Sequence, residues 1–159
     1  AEVALERGRR DEARAMLEGF TRTSEPDRLY RTSLMPVVAR LLVRLNDLET
    51  IRRHLADPPP FVSERERLSL ASARAVLAAA EGEVTSAAET FRDAARDWRR
   101  YGMPIELGQL LLGLARCERA TGRRSEALAA ARAAAEVLQQ LRARPLLAEA
   151  SALQDELEG

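Results

Sequence analysis

Apolar residues return every third or fourth position along most of this chain. From Val84 they fall at 84, 87, 91, 94, 98 and 101, ending on Trp98 and Tyr101. Ala127, Ala131, Ala134, Leu138 and Leu141 step the same way, as do Leu68, Ala71, Ala75 and Ala78. After Pro145, Leu146, Ala150, Leu153 and Leu157 make a last stripe. Steps of three and four keep to one side of an α-helix, so each stretch predicts an amphipathic helix with one face for a core. The last stripe predicts a capping helix that closes a stack.

The breaks between these helices repeat. Gly8-Arg9-Arg10-Asp11-Glu12-Ala13 and Gly122-Arg123-Arg124-Ser125-Glu126-Ala127 are nearly one hexapeptide, and Gly82-Glu83-Val84-Thr85-Ser86-Ala87 has the same form. Asn46-Asp47-Leu48-Glu49-Thr50-Ile51 is a fourth copy with Asn for Gly; both residues tolerate the left-handed backbone that ends a helix. Starts at 8, 46, 82 and 122 lie 38, 36 and 40 residues apart, the length of a two-helix repeat.

Other boundaries carry their own chemistry. Gly102-Met103-Pro104 sets Gly after one helix and Pro near the start of the next. Asp57-Pro58-Pro59-Pro60 cannot be helix interior, and Ser63-Glu64-Arg65-Glu66 offers a capping box. Pro36 falls within a helical segment from about 27 to 46 and predicts a kink or restart there. No low-complexity stretch divides the chain. The expectation is an all-α fold: a right-handed superhelix of about eight helices in antiparallel pairs, forming one domain over residues 1–159.

Composition narrows the function classes. At 46% apolar and 31% charged residues the chain can bury a core and is not of the disordered class. Only six residues are aromatic, so the core rests on Ala and Leu, which suit closely packed helices. All 25 basic residues are Arg and 25 acids balance them; a nucleic-acid binder usually shows a basic excess. One cysteine, Cys117, excludes an internal disulfide framework and fits the cytoplasm. The longest apolar run, around Leu110–Leu112, is far below the roughly 20 residues of a membrane span. The chain starts at Ala1 in helical sequence, so it is expected to be a C-terminal fragment of a larger protein.

Catalytic patterns are weak. His54 is the sole histidine and lacks metal or nucleophile partners at signature spacing. Cys117 lies among apolar residues and reads as a buried structural thiol. Glu89, Asp93 and Asp97 form a carboxylate row, but Arg92, Arg96 and Arg100 each follow one of them by three residues, the spacing of helical ion pairs. No glycine belongs to a phosphate loop. The Arg9-Arg10, Arg52-Arg53, Arg99-Arg100 and Arg123-Arg124 pairs sit at turns and helix ends, where some favour the helix dipole. No catalytic residue, metal ligand or cofactor is expected.

From Tyr101 to Ala152 the chain reads Tyr-Gly-Met-Pro-Ile-Glu-Leu-Gly, Leu-Ala-Arg-Cys, Gly-Arg-Arg-Ser-Glu-Ala and Leu-Arg-Ala-Arg-Pro, then a final helix. This stretch resembles tetratricopeptide repeats, whose period is about 34. In particular it resembles the C-terminal helical repeats of bacterial LuxR-type ATP-binding regulators, multidomain nucleotide cyclases and related kinases. In such proteins the array follows a nucleotide-binding domain. On the family's pattern Ala87 and Ala127 open second helices, followed by Phe91 and Ala131, then Ala94 and Ala134. Ala75 and Ala115 take the small first-helix position where paired helices touch. Leu17 and Phe20, then Leu55 and Pro58, depart from that pattern in the first two repeats.

The resemblance also implies a concave groove lined by first helices. Carried over by position, its candidate binding residues are Ser33, Arg40, Arg44, Ser72, Val76, Gln109, Leu112, Arg116 and Arg119. The arginines would hold carboxylates of an acidic peptide or a small anion. The Lys/Asn clamp of chaperone-tail-binding members is missing, so no chaperone-tail binding is expected. The expected function is a non-catalytic interaction and regulatory module of a signalling or transcription-regulatory protein. Its partner would be a protein or peptide, or another domain of the parent chain, with a small anionic effector as a further candidate. Direct nucleic-acid and membrane binding are not expected. The alternatives are a homo-oligomeric scaffold packing through exposed Leu112, Val76 or the last helix, and a fragment of an enzyme whose active site lies elsewhere.

Overall fold

The structure, a computed structural model, describes residues 1–21, 28–56 and 63–159. Every regular element among the described residues is an α-helix, and the fold is all-α. The helices are α1 (Glu2–Glu6), α2 (Arg10–Thr21), α3 (Arg28–Leu45), α4 (Leu48–Ala56), α5 (Glu64–Ala80), α6 (Val84–Tyr101), α7 (Pro104–Ala120), α8 (Arg124–Gln140) and α9 (Arg144–Glu158). The chain divides into two compact units, Ala1–Ala80 and Glu81–Gly159. Each is described by itself.

In the first unit, α3 and α5 pack on each other and on α4. Leu17, Met35, Val38, Leu41, Leu42, Leu45, Ile51, Leu70 and Ala73 form one buried cluster, with Val76 and Leu77 packed against it. The expected restart at Pro36 does not occur: α3 runs unbroken from Arg28 to Leu45 with Pro36 inside. An interior proline costs about 3 kcal/mol, but each fully buried Met, Val or Leu returns about 1.5–3. Met35, Val38 and Leu42 on the same helix outweigh the lost bond. The predicted capping box is present: the Ser63 N–H donates to Glu66 Oε2 at 3.0 Å, and the Glu66 N–H to Ser63 Oγ at 3.4 Å. The expectation for Pro58–Pro60 lies outside the described residues; α4 ends at Ala56.

In the second unit each helix packs on the next. Gly108 of α7 faces Leu138 of α8, and Gly113 faces Phe91 of α6. From α8 to α9, Arg124 Nε donates to the Leu157 carbonyl at 2.6 Å and Gln154 Nε2 to the Ala131 carbonyl at 3.1 Å. One number rises as the other falls, so these neighbours run in opposite directions. The predicted small positions Ala87, Ala94, Ala115, Ala127, Ala131 and Ala134 are all buried, as are Phe91 and Trp98. α7 lies between α6 and α8 and is buried on several sides, at Leu107, Leu110, Leu111, Leu112, Leu114 and Cys117.

One turn recurs. At Gly8, Asn46, Gly122 and Arg142 the backbone is left-handed, with φ of 73°, 60°, 77° and 55°. At each, that residue's N–H reaches back three residues, and the next N–H reaches back five: Asp47 to Leu42, Arg123 to Glu118 and Ala143 to Leu138, at 2.9, 2.9 and 3.0 Å. This is the Schellman closure of a helix C-terminus. The turns at 8, 46 and 122 are those the hexapeptides predict. The turn at Arg142 has no glycine and escapes that pattern.

Candidate functional site

The nine candidate groove residues divide between the units. Ser33, Arg40 and Val76 of the first are half-buried, and Arg44 is exposed. The Ser33 carbonyl accepts from Ser69 Oγ at 3.3 Å, and the Arg44 carbonyl from Arg10 Nη2 at 3.0 Å. Ser72 does not line an open surface. It is 0% exposed, and its hydroxyl donates to the Leu68 carbonyl at 3.0 Å. Leu112 is corrected likewise: at 2% exposure it is core, because α7 has helices on both sides. Leu112 is therefore not the exposed side chain that packing on a second copy would need, while Val76 is half-buried against the first unit's cluster.

Gln109 of the second unit is half-buried, while Arg116 and Arg119 are exposed. These two arginines are engaged. Arg116 Nη2 meets Glu149 Oε2 at 2.7 Å, and Arg119 pairs with Glu156, so the expected anion ligands tie α7 to α9 instead. Exposed pairs of this kind contribute about 0–1 kcal/mol, so a ligand carboxylate could still compete for them.

The groups considered for chemistry have structural surroundings. Partial burial, then the guanidinium groups of Arg31 and Arg53, hold the His54 imidazole below its ordinary pKa. Cys117 is buried; desolvation pushes its thiol up, the Glu118 carboxylate adds to this, and Arg116 opposes it. In the carboxylate row, Asp93 accepts from Arg96 Nη1 at 2.8 Å and Asp97 from Arg96 Nε at 3.3 Å. Arg92 does not use the short helical pairing to Glu89. It crosses to Glu118 on α7. Among the described residues no group of three His, Cys, Asp or Glu could hold a metal ion, and no helix is long and apolar enough to cross a membrane.

Sequence reasoning passed over Glu118. Its side chain is 1% exposed, paired with Arg92 of α6 through Oε1 and with Arg123 of the α7–α8 turn through Oε2. Its backbone carbonyl accepts from the Thr121 hydroxyl at 3.0 Å and the Arg123 N–H at 2.9 Å. A buried carboxylate is stable only when paired and hydrogen-bonded, and this one joins two helices and a turn. The usable signal was its place on the apolar helix α7, five residues before Arg123.

No family model, curated protein or solved structure matches this chain. What the surface can do therefore rests on its own chemistry. That chemistry is guanidinium and carboxylate groups carried on helices.

Proposed function

We propose that this chain is a non-catalytic interaction module of the tetratricopeptide kind, a right-handed superhelix of antiparallel helix pairs. It would serve a multidomain bacterial signalling or transcription-regulatory protein of the LuxR-type, cyclase or kinase class. The observation that carries the reading is the recurrence of one Schellman turn at Gly8, Asn46 and Gly122, where the sequence repeats its turn hexapeptide. Repetition of a single helix–turn–helix unit is the mark of arrays that present an extended binding surface. The bound partner is a polypeptide, from another protein or another domain of the parent chain, and the compartment is the cytoplasm, as the single cysteine supports.

Photo-crosslinking in cells tests this. A photoreactive residue at Arg44 or Gln109 is expected to trap a discrete polypeptide, and one at exposed Ala129 of α8 is not. Absence of adducts from the first two positions sinks the groove. Light scattering addresses the scaffold alternative: a mass that grows with concentration would put self-assembly first. Turnover of a nucleotide or ester that is lost on changing His54 or Cys117 would refute a non-catalytic role.

A further inference from the structure

The second unit carries 11 arginines, and seven of them are engaged. Arg92 and Arg123 hold Glu118, Arg96 holds Asp93, Arg116 holds Glu149, Arg119 holds Glu156, Arg132 holds Glu158, and Arg124 bonds the Leu157 carbonyl. The other four are Arg99, Arg100, Arg142 and Arg144. All are exposed, and none has a side-chain hydrogen bond or ion pair among the described residues. They are not scattered. Arg99 and Arg100 end α6, while Arg142 and Arg144 make the turn from α8 to α9. Leu138 packs over Gly108, one turn into α7, so the end of α8 lies beside the start of α7, where α6 has just ended. The unpaired cations therefore share one end of the unit. Of the acids within about a turn of that end, Asp97 is half-buried beside Arg96 and Glu106 is buried and engaged, which leaves Glu136 of α8 exposed against four arginines.

The apolar surface follows the same distribution. The unit's exposed large hydrophobic residues are Tyr101, Ile105 and Leu141, at 45%, 38% and 40% exposure, and all three lie at this end. The backbone adds an independent sign. At the other left-handed positions stand Gly8, Asn46, Gly82, Gly102 and Gly122, residues that tolerate the conformation; here an arginine is held at φ 55°. The left-handed turn closes α8, which a glycine would do at less cost, so the arginine held there points to a use on the surface.

We propose that the end of the second unit formed by the α6–α7 and α8–α9 turns docks an acidic, apolar-studded segment of a partner protein, with Arg99, Arg100, Arg142 and Arg144 taking its carboxylates and Tyr101, Ile105 and Leu141 its apolar side chains. This rests on the interaction-module reading and moves the contact from the groove to the end of the helices. A polypeptide suits the patch better than a nucleic acid. Two of the three apolar residues are aliphatic, and the one ring, Tyr101, packs edge-on against Trp98 with centroids 5.4 Å apart, so no row of open faces awaits bases. A bilayer takes up the long apolar side of an amphipathic helix, whereas these side chains stand at helix ends.

The test is fluorescence anisotropy on the full chain with a short labelled peptide of Glu, Asp, Leu and Phe. Control peptides replace the acids by Gln and Asn, or the apolar residues by Ser. Binding is expected for the first peptide alone and should weaken with salt. Arg142→Gly is expected to weaken it about two- to fivefold, and joining it to R99Q, R100Q and R144Q should weaken it at least about tenfold. Arg142→Gly should raise the melting temperature at the same time, which separates lost docking from lost folding. Unchanged affinity in the fourfold variant overturns the proposal, as does tighter binding of an oligothymidylate or of anionic vesicles, or self-association abolished by the same substitutions. If Arg40→Gln with Arg44→Gln removes peptide binding and the fourfold variant does not, this site fails and the module reading stands. If no peptide binds and no crosslink forms, both fail.

Discussion

Gly113 and Gly19 look alike in the sequence, each a glycine inside a helix, yet they have opposite surroundings. A Cβ on Gly113 would lie 2.6 Å from the buried Phe91 ring, while the space at Gly19 is open. Gly113→Ala is expected to destabilise its unit by up to about 2 kcal/mol, overpacking of roughly 1–3 exceeding a helix-propensity gain of about 1. Gly19→Ala should stabilise by about 0.5–1 kcal/mol. Urea midpoints measure both, and a shared sign would discredit the packing described. Arg142→Gly should stabilise by about 1 kcal/mol through release of the left-handed strain. His54 gives a pH dependence. Its folded pKa lies below the unfolded value near 6.5, so the unfolded chain binds more protons between the two. Stability is full above that pH and falls as the pH drops toward the folded pKa. The urea midpoint should follow, and His54→Gln should flatten the decline.

Among the helices, those whose apolar residues form one stripe were legible, and those buried on several sides were not. α6 and α9 bury most of the positions their spacing predicts, Ala87, Phe91, Ala94 and Trp98 on one, Ala150, Leu153 and Leu157 on the other, while Val84 and Leu146 are half-buried and Tyr101, at the end of its stripe, is exposed. α5 departs from its expected stripe. Leu68 and Ala75 are buried but Ala71 and Ala78 only half so, while Ser69, Leu70, Ser72 and Ala73 are buried as well. A helix flanked on several sides loses the single-face period, which is why Ser72 and Leu112 were assigned to an open groove. The same burial hides Glu118, whose partners are 26 residues before it and five after. Glu118→Gln keeps the shape and removes the charge that draws in Arg92 and Arg123. It should lower the stability of the second unit by about 1–3 kcal/mol in a denaturant titration. No loss would mean that the three side chains tie nothing together.

At the scale of the whole molecule, the all-α class and the helix break at the Gly82 turn were readable because turn chemistry is local. The binding surface was less so. It depends on which charges find partners, a property of distant pairs such as Arg116 with Glu149. The second unit has its own core, so it should open as one body. Cys117 is expected to resist a thiol reagent in native buffer and to label in step with that unit's loss of ellipticity as denaturant rises. Labelling well before the transition would show that α7 opens alone. Trp98, the chain's single tryptophan, lies buried with the Tyr101 ring standing edge-on against it. Whatever settles on Tyr101 leans on that indole, so the molecule carries an optical gauge of occupancy at this end, readable as a shift in emission with no dye attached.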